Sequence, residues 1–126
     1  VIASTVRPTT RAAVFKVPHH GSHNGHHASV VSDMLAEKPI SIITTMNTHH
    51  LPLPRDLDRI KAFSSAVYHT TQPRQKPPKR DRAVEEMMAK VSPKRVVIPR
   101  VIGHIQLRMI GGTINIGLNE HASCAA

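Results

Sequence analysis

A cluster of histidines is the part of this sequence best suited to chemistry. Five of the nine residues in His19–His27 are histidine, in the order His-His-Gly-Ser-His-Asn-Gly-His-His. A neutral imidazole binds divalent metal ions, and histidine exchanges protons near neutral pH. The composition favours either part of a catalytic metal site or a metal-binding tract without catalytic geometry. The elements that hold the cluster must decide between these two readings.

The segment before the cluster predicts a support for it. Ala12–Pro18 is a short apolar run that ends at a proline, which is typical of a buried strand entering a loop. Such a strand delivers the histidines to a sheet edge, the usual ligand site of layered α/β folds. Gly21 and Gly25 permit tight turns there. Ser22 and Asn24 add small polar groups that can orient an oxyanion or a metal ligand.

The rest of the chain alternates between helical and extended patterns, which predicts an α/β layer architecture. The first expected elements are a helix over Val30–Lys38 that ends at Pro39, and a strand over Ile40–Thr45. A helix from Pro54, with Leu57 and Ile60 facing inward, and a strand over Ser65–Thr71 follow. The last are a helix over Ala83–Val91 with Val84, Met87, Met88 and Val91 at core spacing, a strand over Arg95–Pro99, and a hairpin of His104–Ile110 and Thr113–Leu118 around Gly111-Gly112. Residues 72–82 predict an exposed, basic, proline-rich loop.

The bulk composition limits the partners and the compartment. A formal net charge of +9 favours anionic partners such as nucleic acid or phosphorylated metabolites, although it also fits general solubility. The single cysteine, Cys124, excludes a disulfide within one chain and predicts a reducing, cytoplasmic location. No apolar run has membrane-spanning length. Aromatic residues make up 2% of the chain, so the core is expected to be aliphatic.

The histidine segment also resembles a known family. Phe15-Lys-Val-Pro-His-His-Gly-Ser-His-Asn24 is similar to the Lys-Val-Pro-His-His-Gly-Ser-x-Asn motif of ComEC-like hydrolases with the metallo-β-lactamase fold. The following helix, the strand ending in Thr44-Thr45 and the amphipathic helix Arg55–Phe63 fit the same pattern. So does the closing Gly103-His-Ile-Gln-Leu-Arg108 segment, which is followed by Gly-Gly and an apolar strand.

This resemblance implies an αββα sandwich with one or two metal ions, usually zinc and sometimes manganese. The metal would ionise a bound water that attacks a phosphodiester or related bond of an anionic substrate, with nucleic acid slightly preferred. By the family pattern, His19 is a metal ligand and His20 a catalytic neighbour of metal or substrate. Ser22 and Asn24 would shape the substrate loop, and His50 is a candidate substrate contact.

Two departures from the family pattern bear on this expectation. The family draws most of its metal ligands from an earlier His-x-(His/Asp)-x-Asp-His motif and from an Asp before the Pro-His-His segment. Residues 1–18 contain no His, Asp or Glu, so we expect a single partial domain over 1–126, the C-terminal half of the sandwich, with the N-terminal half missing and little activity alone. In the loop Asn47–Pro54, His49 and His50 either substitute for a family Gly-His-Pro histidine or are ordinary loop residues, which is the preferred reading.

The alternative is a non-catalytic, basic, histidine-rich module that binds nucleic acid or metal. Its phosphate contacts would come from the basic run Arg74, Lys76, Lys79, Arg80 and Arg82. No aromatic residues interleave with this run, so base stacking is not supported. The remaining polar candidates are expected to be structural or surface residues: His69, His104 and His121, and the helix charges Asp56, Asp58, Glu85 and Glu86. His26 and His27 are weaker ligand candidates.

Overall fold

The structure, a computed structural model, describes residues 4–6, 8–46, 49–72, 81–91 and 103–125. Within these ranges the strands are β1 (Ala12–Lys16), β2 (Leu35–Ile43), β3 (Ala66–His69), β4 (His104–Ile110), β5 (Thr113–Asn119) and β6 (Ser123–Cys124), and the helices are α1 (Ala28–Met34), α2 (Pro54–Phe63) and α3 (Arg82–Val91). The expected mixed α/β class is confirmed. None of the helices in the described ranges is long and apolar enough to cross a membrane.

The main sheet has four strands in the order β1-β2-β3-β6. The first three are parallel, with Val14 opposite Ile40 and Ile42 opposite Tyr68, and β6 runs antiparallel to β3. Because parallel strands end at the same edge, the segments that follow β1, β2 and β3 meet there. The histidine cluster is one of these segments. Strands β4 and β5 form a separate two-stranded hairpin.

The core lies between the main sheet and α2. Val17, Ile43, Ile60 and Val67 are buried together there. The rings of Phe15 and Phe63 pack beside them with centroids 6.3 Å apart. Helix α2 starts at Pro54, where the missing backbone N–H costs nothing, as the sequence predicts. This packing holds the carboxyl edge of the sheet against the loop after β1.

The predicted helix over Val30–Lys38 is wrong in its second half. Helix α1 ends at Met34, and Leu35 already pairs with Ala12 as the start of β2. The register then shifts, so that Val14 pairs with Ile40 and residues 36–39 of β2 form an irregularity in the strand, with Lys38 at φ +52°. A bulge tolerates Pro39 because a bulged residue needs no ladder N–H. The proline therefore marks an irregularity inside a strand rather than the end of a helix.

Helix α3 forms as predicted, but its apolar side chains are not in a core. Val84 is 46% exposed, Met87 63%, Met88 37% and Val91 80%. The prediction that these four residues face the core is wrong for the described structure. The periodicity identified the helix correctly; it could not show which surface, if any, covers the apolar face.

The closing hairpin is confirmed, with Gly111 and Gly112 at its turn in left-handed conformations. The other two expectations for this half of the chain lie outside the described residues. These are the strand over Arg95–Pro99 and most of the basic loop, residues 73–80.

Candidate functional site

The histidine cluster lies at the carboxyl edge of the three parallel strands, as the sequence predicts. The Val17 amide donates to the Ile42 carbonyl at 2.9 Å, which extends the β1–β2 pairing to the last residue before Pro18. The chain then makes two short 3-10 turns, His19–Gly21 and His23–Gly25. Thr44 and Thr45 follow β2 at this edge, and Thr70 and Thr71 follow β3.

A hydrogen bond to the backbone orients the side chain of His20. Its Nδ1 lies 2.7 Å from the carbonyl oxygen of Thr44, the residue that follows β2. A carbonyl oxygen can only accept, so Nδ1 carries the proton and donates it. In the neutral ring this leaves Nε2 with a free lone pair. The same arrangement, a histidine held through its other nitrogen, orients metal-ligating histidines in proteins.

The backbone at His19 and His20 is strained. His19 has φ +49° and His20 φ +54°, followed by Gly21 at +80°. A residue other than glycine in the left-handed region costs about 1–2 kcal/mol. The surroundings hold the turn in place: the Gly21 amide donates to the Pro18 carbonyl, and Arg59 donates to the Gly21 carbonyl at 3.2 Å. Strain of this kind clusters at functional sites.

His19 lies at the edge with its side chain exposed. The path of the chain here depends on Gly25, because a Cβ added at Gly25 would stand 2.9 Å from the Cβ of His19 and 3.0 Å from the Pro18 carbonyl oxygen. The two 3-10 turns therefore pack directly on each other. This close approach fixes the backbone and the Cβ of His19, while its ring faces solvent.

The other predicted contact residues are placed unevenly. Ser22 is half-buried, and its amide donates to the His19 carbonyl at 3.0 Å. Asn24 and His50 are both exposed. The loop of His50 does meet the cluster, since a Cβ at Gly21 would lie 3.1 Å from the Pro52 Cβ. The structure thus brings the two loops together but leaves the His50 side chain at the surface.

A small apolar cleft of about 70 Å³ lies behind the cluster, between α1, α2 and β1. Phe15, Val17 and Ile60 are among the residues that form it, and His26 and Arg59 are polar groups beside them. Burial lowers the pKa of His26, and the nearby Arg59, His23 and His27 lower it further. A lowered pKa favours the neutral ring of His26 at neutral pH.

Sequence reasoning missed one element of this site, the pair formed by Asp56 and Arg59. Asp56 was expected to be a surface charge, but it is 3% exposed. Arg59 Nη2 lies 3.3 Å from Asp56 Oδ1 and also donates to the Gly21 carbonyl, so it ties α2 to the histidine loop. The i, i+3 spacing on a helix was the available signal. The expectation for His69 is confirmed: it is buried, and its Nδ1 lies 3.1 Å from Ser123 Oγ.

The described residues do not form a complete metal site. His20 offers an oriented Nε2, and His19 lies next to it in the chain. However, within the described ranges no three His, Cys, Asp or Glu side chains converge closely enough to hold a metal ion. A zinc site needs three or four protein ligands. No reaction step through a metal is derived from these residues.

Comparison with known proteins adds no relative: no protein-family profile, no curated protein and no solved structure matches this chain.

Proposed function

We propose that this chain forms one wall of a metal-dependent hydrolase site of the metallo-β-lactamase type, which acts on a phosphodiester or related anionic bond. The observation that carries the proposal is the hydrogen bond from His20 Nδ1 to the Thr44 carbonyl at the carboxyl edge of the sheet. It joins the ends of two parallel strands through a histidine whose Nε2 is available. The short motif Lys16-Val-Pro-His-His-Gly-Ser22, which resembles that family, ends at the same place.

The roles follow from the contacts. The family pattern assigns the metal ion to His19; we assign it first to His20, because a hydrogen bond orients its ring, and keep His19 as the second candidate. The formal net charge of +9 supports an anionic substrate. A bound metal would supply the ionised water. On this proposal the remaining ligands would come from outside the described residues, as the resemblance implies.

The first test follows zinc binding to the 126-residue chain by NMR of the imidazole nitrogens. We expect Zn²⁺ to shift the His20 Nε2 resonance more than that of His104, an exposed histidine on β4 that serves as the internal control. The chain alone should hydrolyse bis(p-nitrophenyl) phosphate no faster than Zn²⁺ in buffer. Robust turnover with stoichiometric zinc would show that the site is complete in this chain, against the one-wall proposal.

The second test uses the protein made from the whole reading frame that encodes these residues. We expect it to hydrolyse the same probe with Zn²⁺ or Mn²⁺, and His20→Gln to lower kcat by about 100-fold or more, whereas His104→Gln leaves it unchanged. Equal activity of the His20→Gln variant would rule out the assigned role. If hydrolysis is absent and the protein binds DNA with an affinity that falls steeply with salt and ignores metal, the basic binding module replaces the enzyme.

A further inference from the structure

The hairpin β4–β5 has one wholly apolar face. Its pairing sets Ile105 opposite Leu118, Leu107 opposite Ile116, and Met109 opposite Ile114. Because alternate residues of a strand point to opposite faces, these six side chains lie together. The opposite face is mostly polar, with His104, Gln106, Arg108, Thr113, Asn115 and Asn119 among its residues. The hairpin is thus an amphipathic ribbon.

This apolar face is open in the described structure. Met109 is 71% exposed, and Leu107 and Leu118 are each more than a third exposed. An isolated two-stranded hairpin is marginally stable in water unless its apolar face packs on another element. The hairpin therefore requires a covering partner.

Helix α3 carries a matching surface. At 100° per residue, its exposed residues Val84, Met87, Met88 and Val91 fall within an arc of about 100°, the width of a core-facing stripe. The stripe is about 10 Å long, and the apolar face from Ile105 to Met109 is about 14 Å long. A helix of this length is also marginal alone. The apolar stripe of α3 and the apolar face of the hairpin are therefore similar in length, and each needs an apolar partner.

The chain tethers α3 to the base of this hairpin from both sides. The Gly103 amide, one residue before β4, donates to the Thr70 carbonyl at 2.8 Å. The segment that leads to α3 starts directly after Thr70–Gln72, and the segment that leads away ends at Gly103. Residues 73–81 and 92–102 can span at most about 30 Å and 36 Å, and a seven-residue strand is about 24 Å long. Helix α3 can therefore reach the whole apolar face.

Two alternatives to a contact between α3 and the hairpin are less favourable. A second copy of the chain brings another formal charge of +9, which opposes association, whereas a short tether raises the local concentration of α3 to the millimolar range. The face of the main sheet opposite α2 is a less favourable docking surface for α3, since Ile42 on that face is only 9% exposed.

We propose that the apolar stripe of α3 docks on the apolar face of the β4–β5 hairpin of the same chain. The docked pair forms a helix-on-hairpin layer attached to the main sheet through Gly103 and β6. The proposal is independent of the hydrolase site, because neither surface includes a residue of the histidine cluster.

Amide hydrogen exchange of the full chain tests the docking. Met87→Glu places a charge in the stripe and should reduce protection of the β4–β5 amides by at least tenfold, with the Ile42 and Val67 amides unchanged. Ala89→Glu, which puts the same residue on the opposite side of α3, should leave the hairpin protected. Equal effects of the two substitutions, or no effect of either, overturn the proposal.

Cross-linking provides a second measurement that does not depend on exchange rates. In a Cys124→Ser background, Met87→Cys together with Leu107→Cys should form a disulfide within the monomer under mild oxidation. Disulfides formed exclusively between chains, or hairpin protection that is lost on dilution of the unmodified protein, would assign the face to a second copy and refute intramolecular docking.

Discussion

At the scale of single residues, two histidines are held by hydrogen bonds in different surroundings: His20 is half-buried and His69 is buried. His20 is held by the Thr44 carbonyl at the sheet edge, with its backbone in a strained conformation. His69 is buried under β6 against Ser123, where it completes the pairing of β3 with the C-terminal strand. The first arrangement leaves a ring nitrogen available, and the second joins strands. Their chemical consequences should therefore be separable.

His69 should make stability depend on pH. Burial lowers its pKa below 6.5, and Lys61 lowers it further, while a hydrogen bond with its own backbone opposes the shift. At a pH between the folded and unfolded pKa values of His69, the unfolded chain binds more protons than the folded chain. The stability that neutral His69 contributes is therefore complete above about pH 6.5 and is lost as the pH falls through the folded pKa. We expect the midpoint of urea unfolding to be lower at pH 5.5 than at pH 7.5.

The His69→Gln variant, which removes the titrating group, should show a smaller fall over the same range. It should itself be destabilised by about 1–3 kcal/mol, since Ser123 loses its buried partner. His104→Gln, at an exposed position, is the matched control and should behave like the unmodified chain. If the His69→Gln and unmodified chains lose equal stability on acidification, His69 is not the sensor.

At the scale of elements, α2 connects the core to the histidine loop. Asp56 in its first turn is buried, and Arg59 one turn later both pairs with it and donates to the Gly21 carbonyl. Removing the arginine leaves a buried carboxylate without its partner and frees the strained turn at the same time.

Arg59→Met should therefore destabilise the fold by about 2–3 kcal/mol in chemical denaturation. Arg55→Met, at an exposed position in the same helix, should change stability by less than about 0.5 kcal/mol. Adding Asp56→Asn to Arg59→Met should recover part of the loss, because the buried charge is then gone. Equal costs for the Arg59 and Arg55 variants would contradict a structural role for this pair.

The sequence predicted these elements best where local chemistry decided the outcome. Pro54 started α2, Gly111-Gly112 turned the hairpin, and the apolar run before Pro18 became β1. It failed where tertiary pairing overrode local preference. Leu35–Pro39 read as the end of a helix, but the pairing of Leu35 with Ala12 draws the segment into β2. Likewise, Asp56 looked like any helix-surface carboxylate until packing of α2 on the loop buried it.

The site was predictable in position but not in composition. A strand ending in Pro18-His19-His20 must leave its histidines at a sheet edge. The spacing could not reveal that the Thr44 carbonyl would orient His20, or that Asn24 and His50 would remain at the surface. These depend on how the loops after β1 and β2 pack, which is a contact between distant parts of the chain.

At the scale of the whole molecule, stability rests on a small aliphatic core. Val17, Ile43, Ile60 and Val67 form its buried centre, and Ile60 is fully enclosed. With so few large side chains available, one cavity in this cluster should have a large effect.

Ile60→Ala should cost about 2–5 kcal/mol, a substantial part of a small domain's stability. It should lower Tm accordingly in a thermal unfolding experiment. Ile110→Ala removes the same atoms from the exposed end of β4 and should change stability by less than about 0.5 kcal/mol. Similar effects of both substitutions would mean that the cluster around Ile60 is not the main source of stability.

Gly103 has a topological consequence. Its amide donates a hydrogen bond to the Thr70 carbonyl, and an added Cβ would overlap the Thr70 carbonyl oxygen and the Ala122 amide nitrogen. The segments that contain Thr70, Gly103 and Ala122 therefore meet at a narrow junction, the neck, which has no room for a side chain. Beyond the neck, Ala125 and Ser123 hold the C-terminal segment to β3. The molecule can thus be divided between β3 and Gly103 into two polypeptides that already have a noncovalent joint. This makes it a natural starting point for a split-protein pair.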